Sequence, residues 1–154
     1  MTEAYVIFPL SNFSSKTGER LKSPKKIYTV DNGFIAAKAV QQSPNSGKLM
    51  ENLVFMELVK KGLEPNRDLF YYKTRNNREI DFVIKKGTEI DELIQVCYEM
   101  VNSDVEQRET KALLEAAQEL KAKNLTILTW DEKREITKNG KTIHLKSLWE
   151  WLLE

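Results

Sequence analysis

Two short apolar stretches each carry a polar side chain among hydrocarbon neighbours: Glu79-Ile80-Asp81-Phe82-Val83-Ile84 and Leu93-Ile94-Gln95-Val96-Cys97. Ile80, Phe82 and Ile84 alternate with Asp81 and Val83, which predicts a strand, and Lys85-Lys86-Gly87-Thr88 predicts a turn into a second one. A carboxylate buried alone is costly, so Asp81 calls for a metal ion, a hydrogen-bond network or a cation. Glu79 precedes it by two residues on the same side of the strand, and either pairs with it around an ion or faces solvent. A salt bridge to Arg75 or Arg78 would satisfy Asp81 equally well. Two strands that each aim a polar group from one sheet predict a site.

A second group of residues points to polyanions. Lys60, Lys61, Arg67, Lys73, Arg75 and Arg78 gather around the first predicted helix end and the first hairpin, with Tyr71 and Tyr72 between them. Cations interleaved with aromatic rings suit a nucleic-acid backbone and its bases; Lys73, Arg75, Arg78 and Tyr72 are the expected contacts. A solvated hairpin face explains the same residues, and Glu89, Asp91 and Glu92 partly cancel its field. Nucleophilic chemistry has no motif behind it. His144 is the only histidine, remote in sequence from the other candidates, and reads as structural or exposed. Gly47-Lys48 lacks the rest of a phosphate loop, which excludes an ATPase of that type.

These residues need a scaffold, and the chain has the means to build one. Its 154 residues suit a single compact domain, with 41% hydrophobic and 31% charged residues. A net charge of +1 excludes blanket nucleic-acid affinity, so any such contact is a local patch. The lone Cys97 excludes an internal disulfide and fits a reducing, cytoplasmic setting; no apolar run reaches membrane-spanning length. Residues 1–46 read as a partly irregular N-terminal segment, with a short strand or helix at 5–9, a strand at 26–30, a turn at Asp31-Asn32-Gly33 and a helix at 34–42. The core at 47–130 holds a helix over 47–61, strands at 69–74, 79–85 and 92–98, a helix over 103–123 and a strand at 125–130. Ser103 and Glu106 have the spacing of a capping box for that second helix. Residues 131–154 read as a hairpin and a closing helix. Helix, three strands, helix, strand predicts an α/β fold: a central mixed sheet flanked by helices, with the second long helix as a crossover.

This order (αβββαβ) and these residues resemble the PD-(D/E)XK nuclease superfamily, which has a restriction-endonuclease-like core. Nearly the whole chain is similar, more closely, to an uncharacterised C-terminal domain that follows a AAA+ ATPase module in many archaeal and bacterial proteins. The stretches that carry the likeness are Pro24-Lys25-Lys26-Ile27-Tyr28-Thr29-Val30-Asp31-Asn32-Gly33, Gly47-Lys48-Leu49-Met50-Glu51-Asn52-Leu53-Val54, Tyr71-Tyr72-Lys73, Glu79-Ile80-Asp81-Phe82-Val83, and Leu125-Thr126-Ile127-Leu128-Thr129-Trp130-Asp131. The ending from Ile143 to Leu153 fits as well. The likeness begins near the first residue, which predicts a longer natural protein. It implies an ATPase partner module, DNA as a second partner, and a site in which Glu51 and Asp81 hold Mg²⁺ beside a Glu-x-Lys pair. At that pair this chain has Gln95-Val96-Cys97.

The departure has chemical consequences. Mg²⁺ prefers oxygen ligands, and Gln95 offers an amide oxygen without negative charge. Cys97 offers no cation and reads as a small packed residue. The missing charges remove several kcal/mol of transition-state stabilisation, so the sequence predicts a binding domain with a degraded centre. A lysine displaced from elsewhere, Lys73 or Lys85, would restore an active Mg²⁺-dependent endonuclease. A structural or oligomerisation module is the third expectation. The whole reading requires Glu51, Asp81 and Gln95 to converge.

Overall fold

The computed structural model describes residues 7–14, 16, 18, 22–33, 45–100 and 102–154. A two-stranded antiparallel ribbon, β1 (Ile7–Leu10) and β2 (Lys26–Thr29), precedes α1 (Ser46–Lys60). Then follow β3 (Leu69–Lys73), β4 (Glu79–Lys86), β5 (Glu89–Val96), α2 (Ser103–Leu120), β6 (Asn124–Thr129), β7 (Arg134–Lys138), β8 (Lys141–Ser147) and α3 (Leu148–Leu153). The last six strands form one mixed sheet in the order β3-β4-β5-β6-β8-β7, in which β5, β6 and β8 run parallel. The expected helix–three strands–helix–strand order is present, and β7 and β8 extend the sheet beyond it. The helix expected at 34–42 lies outside the described residues.

Helices cover both faces. Val54, Phe55 and Leu58 of α1 and Leu148 and Trp151 of α3 pack with Phe82, Ile84, Ile94 and Leu128 on one side of the sheet. Ala112, Leu113, Ala116 and Ala117 of α2 pack with Ile80, Val83, Leu93, Leu125 and Ile127 on the other. Small alanines let α2 approach closely, and β5 joins β6 in parallel through it, as a crossover requires. The β7–β8 turn places Asn139 and Gly140 at φ 53° and 71°, the paired positive values of a tight hairpin.

Helix ends differ from the sequence expectation by one local choice. Asn102, not Ser103, caps α2: its side-chain oxygen accepts the N–H groups of Asp104 at 3.1 Å and Val105 at 3.0 Å. An Asn side chain reaches the exposed N–H groups of the first turn as well as a serine does. The helix stops at Leu120 because Lys121 turns left-handed at φ 56°.

A bulge in β4 is decisive for the site. Phe70 pairs with Val83, but Tyr72 pairs with Ile80, so β4 carries one residue more than β3 across that interval. The strict alternation expected from sequence therefore breaks at Asp81-Phe82. Ile80 and Val83 go to the α2 face, and Phe82 and Ile84 go to the α1 face. A bulge re-aims side chains in this way, and here it turns both Asp81 and Phe82 toward α1 and β2.

Candidate functional site

Residues of four elements meet at the bulge. Lys26 on β2 places its ammonium 2.7 Å from Asp81 Oδ1, 2.9 Å from Glu51 Oε1 on α1, and 2.9 Å from Glu79 Oε1 on β4. Asp81 Oδ2 accepts the backbone N–H of Val96 on β5 at 2.9 Å. The Tyr28 hydroxyl donates to Glu51 Oε1 at 2.6 Å while its ring stacks on Phe55, centroids 4.2 Å apart. Asp81 is therefore neither alone nor paired with Arg75 or Arg78. Its cation comes from a strand 55 residues away.

The ribbon that delivers Lys26 is fixed by the buried Asn52. Its side-chain oxygen accepts the Thr29 N–H at 2.8 Å, and its amide donates to the Thr29 carbonyl at 3.0 Å and to Asn32 Oδ1 at 2.9 Å. Asn52 thus supplies the hydrogen bonds a neighbouring strand would have supplied. The Tyr71 hydroxyl holds the chain just before β2 by donating to the Pro24 carbonyl at 2.5 Å.

The electrostatics follow from burial and charge count. Burial pushes the Asp81 carboxyl up to about 7, Glu51 adds to the rise, and Lys26 opposes it. Burial disfavours the charged Lys26, yet Asp81 and Glu51 outweigh it and the ammonium is held above its ordinary value. Burial and the Glu51 carboxylate raise the Tyr28 hydroxyl, which remains a donor.

Gln95 lies beside this centre but turns away from it. Its Oε1 accepts the Asp81 backbone N–H at 3.3 Å, and its Nε2 donates to Glu109 Oε2 on α2 at 2.8 Å. Glu109 is buried and braced by the Arg108 guanidinium at 2.7 and 2.9 Å. The structure brings Glu51 and Asp81 together on one ammonium and engages both ends of the Gln95 amide elsewhere. Cys97 is half-buried against the α2-side core, and burial followed by Glu109 pushes its thiol up to about 11.

The lysine that reaches the centre is Lys26, not Lys73 or Lys85. Among the described residues, no group of three or more His, Cys, Asp or Glu side chains is arranged to hold a metal ion. The inward oxygens of Glu51, Glu79 and Asp81 fit an ammonium at hydrogen-bond length, whereas Mg²⁺ would need such oxygens at about 2.1 Å.

The basic hairpin is partly neutralised by α2. Arg78 Nε lies 3.3 Å from Glu115 Oε2, the Tyr72 hydroxyl donates to Glu119 at 2.6 Å, and the Arg75 backbone N–H reaches the same carboxylate. Lys73 and Arg75 nevertheless line a cleft of about 1000 Å³. Lys22, Lys121 and Lys123 join them there, five cations facing Glu89 and Glu119. Lys121 and Lys123 lie some fifty residues further along the chain, so no local reading of the hairpin finds them. His144 is exposed beside Glu135, as expected.

Lys26, Tyr28, Asn52 and Glu109 are what sequence reasoning missed at the centre. Their signals were faint: a lysine opening a strand-like run, and a glutamate on the inward face of an amphipathic helix.

Comparison with known proteins places the chain in a family. Residues 46–148 match the family model described as Domain of unknown function (DUF4143), and the chain belongs to that family. It is 40% identical over 158 residues to an uncharacterized protein of Methanocaldococcus jannaschii, covering 99% of this chain and 34% of that protein. It is 26% identical over 100 residues to an uncharacterized protein of Haemophilus influenzae, covering 65% of this chain and 24% of that protein. The chain thus spans about a third of the length of the first relative and about a quarter of the second. A chain of the assembly of Thermococcus gammatolerans McrB AAA+ hexamers with bound McrC is similar over 66% of this chain and 28% of that one. That likeness has a TM-score of 0.46 at 15% identity, too low to assign a shared fold. Among the described residues, no helix is long and apolar enough to cross a membrane.

Proposed function

We propose that this member of the DUF4143 family is a nuclease-derived domain with a restriction-endonuclease-like core, which binds DNA without cleaving it efficiently. The observation that carries the reading is the Lys26 ammonium held between Glu51, Glu79 and Asp81. An active centre of this kind keeps its carboxylates for Mg²⁺ and places a lysine beside the attacked phosphate. Here the carboxylates spend their oxygens on the chain's own cation, and Gln95 and Cys97 stand at the Glu-x-Lys positions. The lost charges correspond to several kcal/mol of barrier lowering.

The cationic cleft supports the binding half of the reading. Lys22, Lys73, Arg75 and Lys121, with Lys123 beside its partner Glu89, line the cleft together with the half-buried Tyr72 and suit a phosphodiester backbone. The AAA+ ATPase partner and the cytoplasmic setting belong to the same proposal. An ATPase module would occupy part of the length by which the relatives exceed this chain.

A second reading rests on one specific contact. Lys26 puts an ammonium beside Asp81 after all, so it can serve as the displaced lysine of an active endonuclease. Incubating supercoiled plasmid with the protein and Mg²⁺ or Mn²⁺ separates the two. The binding reading expects gel retention that weakens with salt and no nicking above background. Nicking that requires the metal and vanishes in Asp81→Asn and Lys26→Met overturns it for the second reading. Absence of retention at low salt leaves a structural module instead.

A further inference from the structure

We infer that Lys26 is the resident cation of the carboxylate centre, so that its ammonium and a divalent metal ion are alternative occupants of the same oxygens. The inference concerns the centre of the non-cleaving reading and rests on that reading only for the identity of the site. The donor count supports it. An ammonium has three N–H donors, and three carboxylates, Asp81 Oδ1, Glu51 Oε1 and Glu79 Oε1, lie at 2.7, 2.9 and 2.9 Å from Nζ. Two further donors of the chain sit on the same carboxylates: the Val96 N–H on Asp81 Oδ2, and the Tyr28 hydroxyl on Glu51 Oε1.

Position reinforces the count. Lys26 cannot simply swing away with a free loop, because β2 is clamped to α1 through Asn52 and held by Tyr71 at Pro24. Its side chain is only 17% exposed, and its ammonium lies 5.9 Å from the Tyr71 ring centroid. The centre thereby does the structural work of a metal clip. It joins the ribbon, α1 and the main sheet with a charge that needs no ion from solution.

The test measures metal uptake, not cleavage. Mn²⁺ binding is read by the loss of the free-ion EPR signal, and thermal midpoints are recorded with and without millimolar Mn²⁺. The wild-type chain should take up no Mn²⁺ at this centre, and its midpoint should not move. Lys26→Met should melt earlier without metal and bind Mn²⁺ at least about tenfold more tightly than the wild type, because removing the internal cation frees the oxygens. Mn²⁺ should restore part of its midpoint, and Asp81→Asn added to Lys26→Met should abolish that rescue. Stoichiometric Mn²⁺ uptake by the wild type that is lost in Asp81→Asn overturns the inference. A folded Lys26→Met that ignores Mn²⁺ overturns it too. Should Lys26→Met fail to fold, Lys26→Arg keeps the charge and must still exclude Mn²⁺; uptake by that variant is equally fatal. DNA retention is a separate readout, so failure here and failure of the binding reading remain distinguishable.

Discussion

The ammonium of Lys26 and the carboxylate of Asp81 meet at 2.7 Å although 55 residues separate them, one on the two-stranded ribbon and the other on the six-stranded sheet. Backbone hydrogen bonds join the ribbon to the main sheet just past β1, where the Phe13 N–H donates to the Tyr71 carbonyl and the Tyr71 N–H to the Ser11 carbonyl; the Lys26–Asp81 contact adds a second tie, from β2 to β4. The bulge at Asp81-Phe82 makes the contact possible by turning two successive side chains to one face. Phe82 enters the aromatic cluster with Tyr28 and Phe55, and Asp81 meets the cation beside it.

Asp81→Ala should therefore destabilise the chain well beyond a surface change. It strands the Val96 N–H and removes the nearest of three carboxylates from a mostly buried ammonium. Breaking one side of a buried pair costs about 3–5 kcal/mol, and the remaining Glu51 and Glu79 place this case near the lower end. Urea denaturation of both proteins measures the difference. A loss under about 1 kcal/mol would mean that the ion cluster adds nothing to the fold.

Stability should fall as pH rises through the neutral range. The Asp81 carboxyl ordinarily titrates at 3.8 and stands at about 7 in the folded chain, chiefly through burial and then Glu51. Between those values the folded protein carries a proton that the unfolded chain has lost, so raising the pH favours unfolding. The contribution is complete below about pH 4 and is lost as pH passes 7, amounting to at most about 4 kcal/mol. Denaturation midpoints at pH 5, 6, 7 and 8 should decline for the wild type and flatten in Asp81→Asn. Equal slopes for the two proteins would show that this carboxyl does not titrate in the window.

Much of this architecture is legible in the sequence, and the reason is local. Strands β3 to β5 carry β-branched and aromatic runs with Gly and Asn turns, and α2 carries an amphipathic repeat, so short-range periodicity fixes them. Glu51 and Asp81 were marked by their surroundings and by the family likeness. Lys26 was not, because Glu51 and Asp81 lie 25 and 55 residues away from it in the chain; its meaning appears only when β2 is laid across α1 and β4. The bulge was hidden for a related reason: Ile80, Phe82 and Ile84 fall at every second position, so alternation reads as uninterrupted, and the apolar Val83 sits equally well on either face. The cationic cleft was seen by half. Lys73 and Arg75 were near each other in sequence, while Lys121 and Lys123 reach the cleft only because α2 ends there.

Gln95 offers a separate handle on the same centre. Gln95→Glu places an acid at this position, but it replaces the amide donor to Glu109 with an oxygen 2.8 Å from another carboxylate oxygen. Like charges at that distance repel, and a buried hydrogen bond to a charged group is lost. The variant should lose about 1–3 kcal/mol at neutral pH. Adding Glu109→Gln supplies a donor from the other side and should recover most of the loss. A double-mutant cycle on urea midpoints measures the coupling. Additive effects would show that the Gln95–Glu109 bond is not the reason glutamine is accommodated here.

Lys121 sets stability against binding within one residue. It ends α2 in the left-handed conformation, φ 56° and ψ 37°, which a side chain with a Cβ adopts at a cost of about 1 kcal/mol. Glycine carries no such cost, so Lys121→Gly should raise the unfolding free energy by up to about 1 kcal/mol. The same change removes a cation from the cleft that Lys22, Lys73, Arg75 and Lys123 share. If a phosphodiester backbone lies there, the variant should bind DNA more weakly at low salt, and the slope of log affinity against log salt should shrink by about one. Lys121→Ala separates the two effects: it loses the charge without gaining freedom at the left-handed position, so binding falls and stability does not rise. A Lys121→Gly protein that is stabler and binds DNA as tightly as the wild type would detach the cleft from nucleic-acid recognition. It would leave the left-handed lysine as a plain helix terminus.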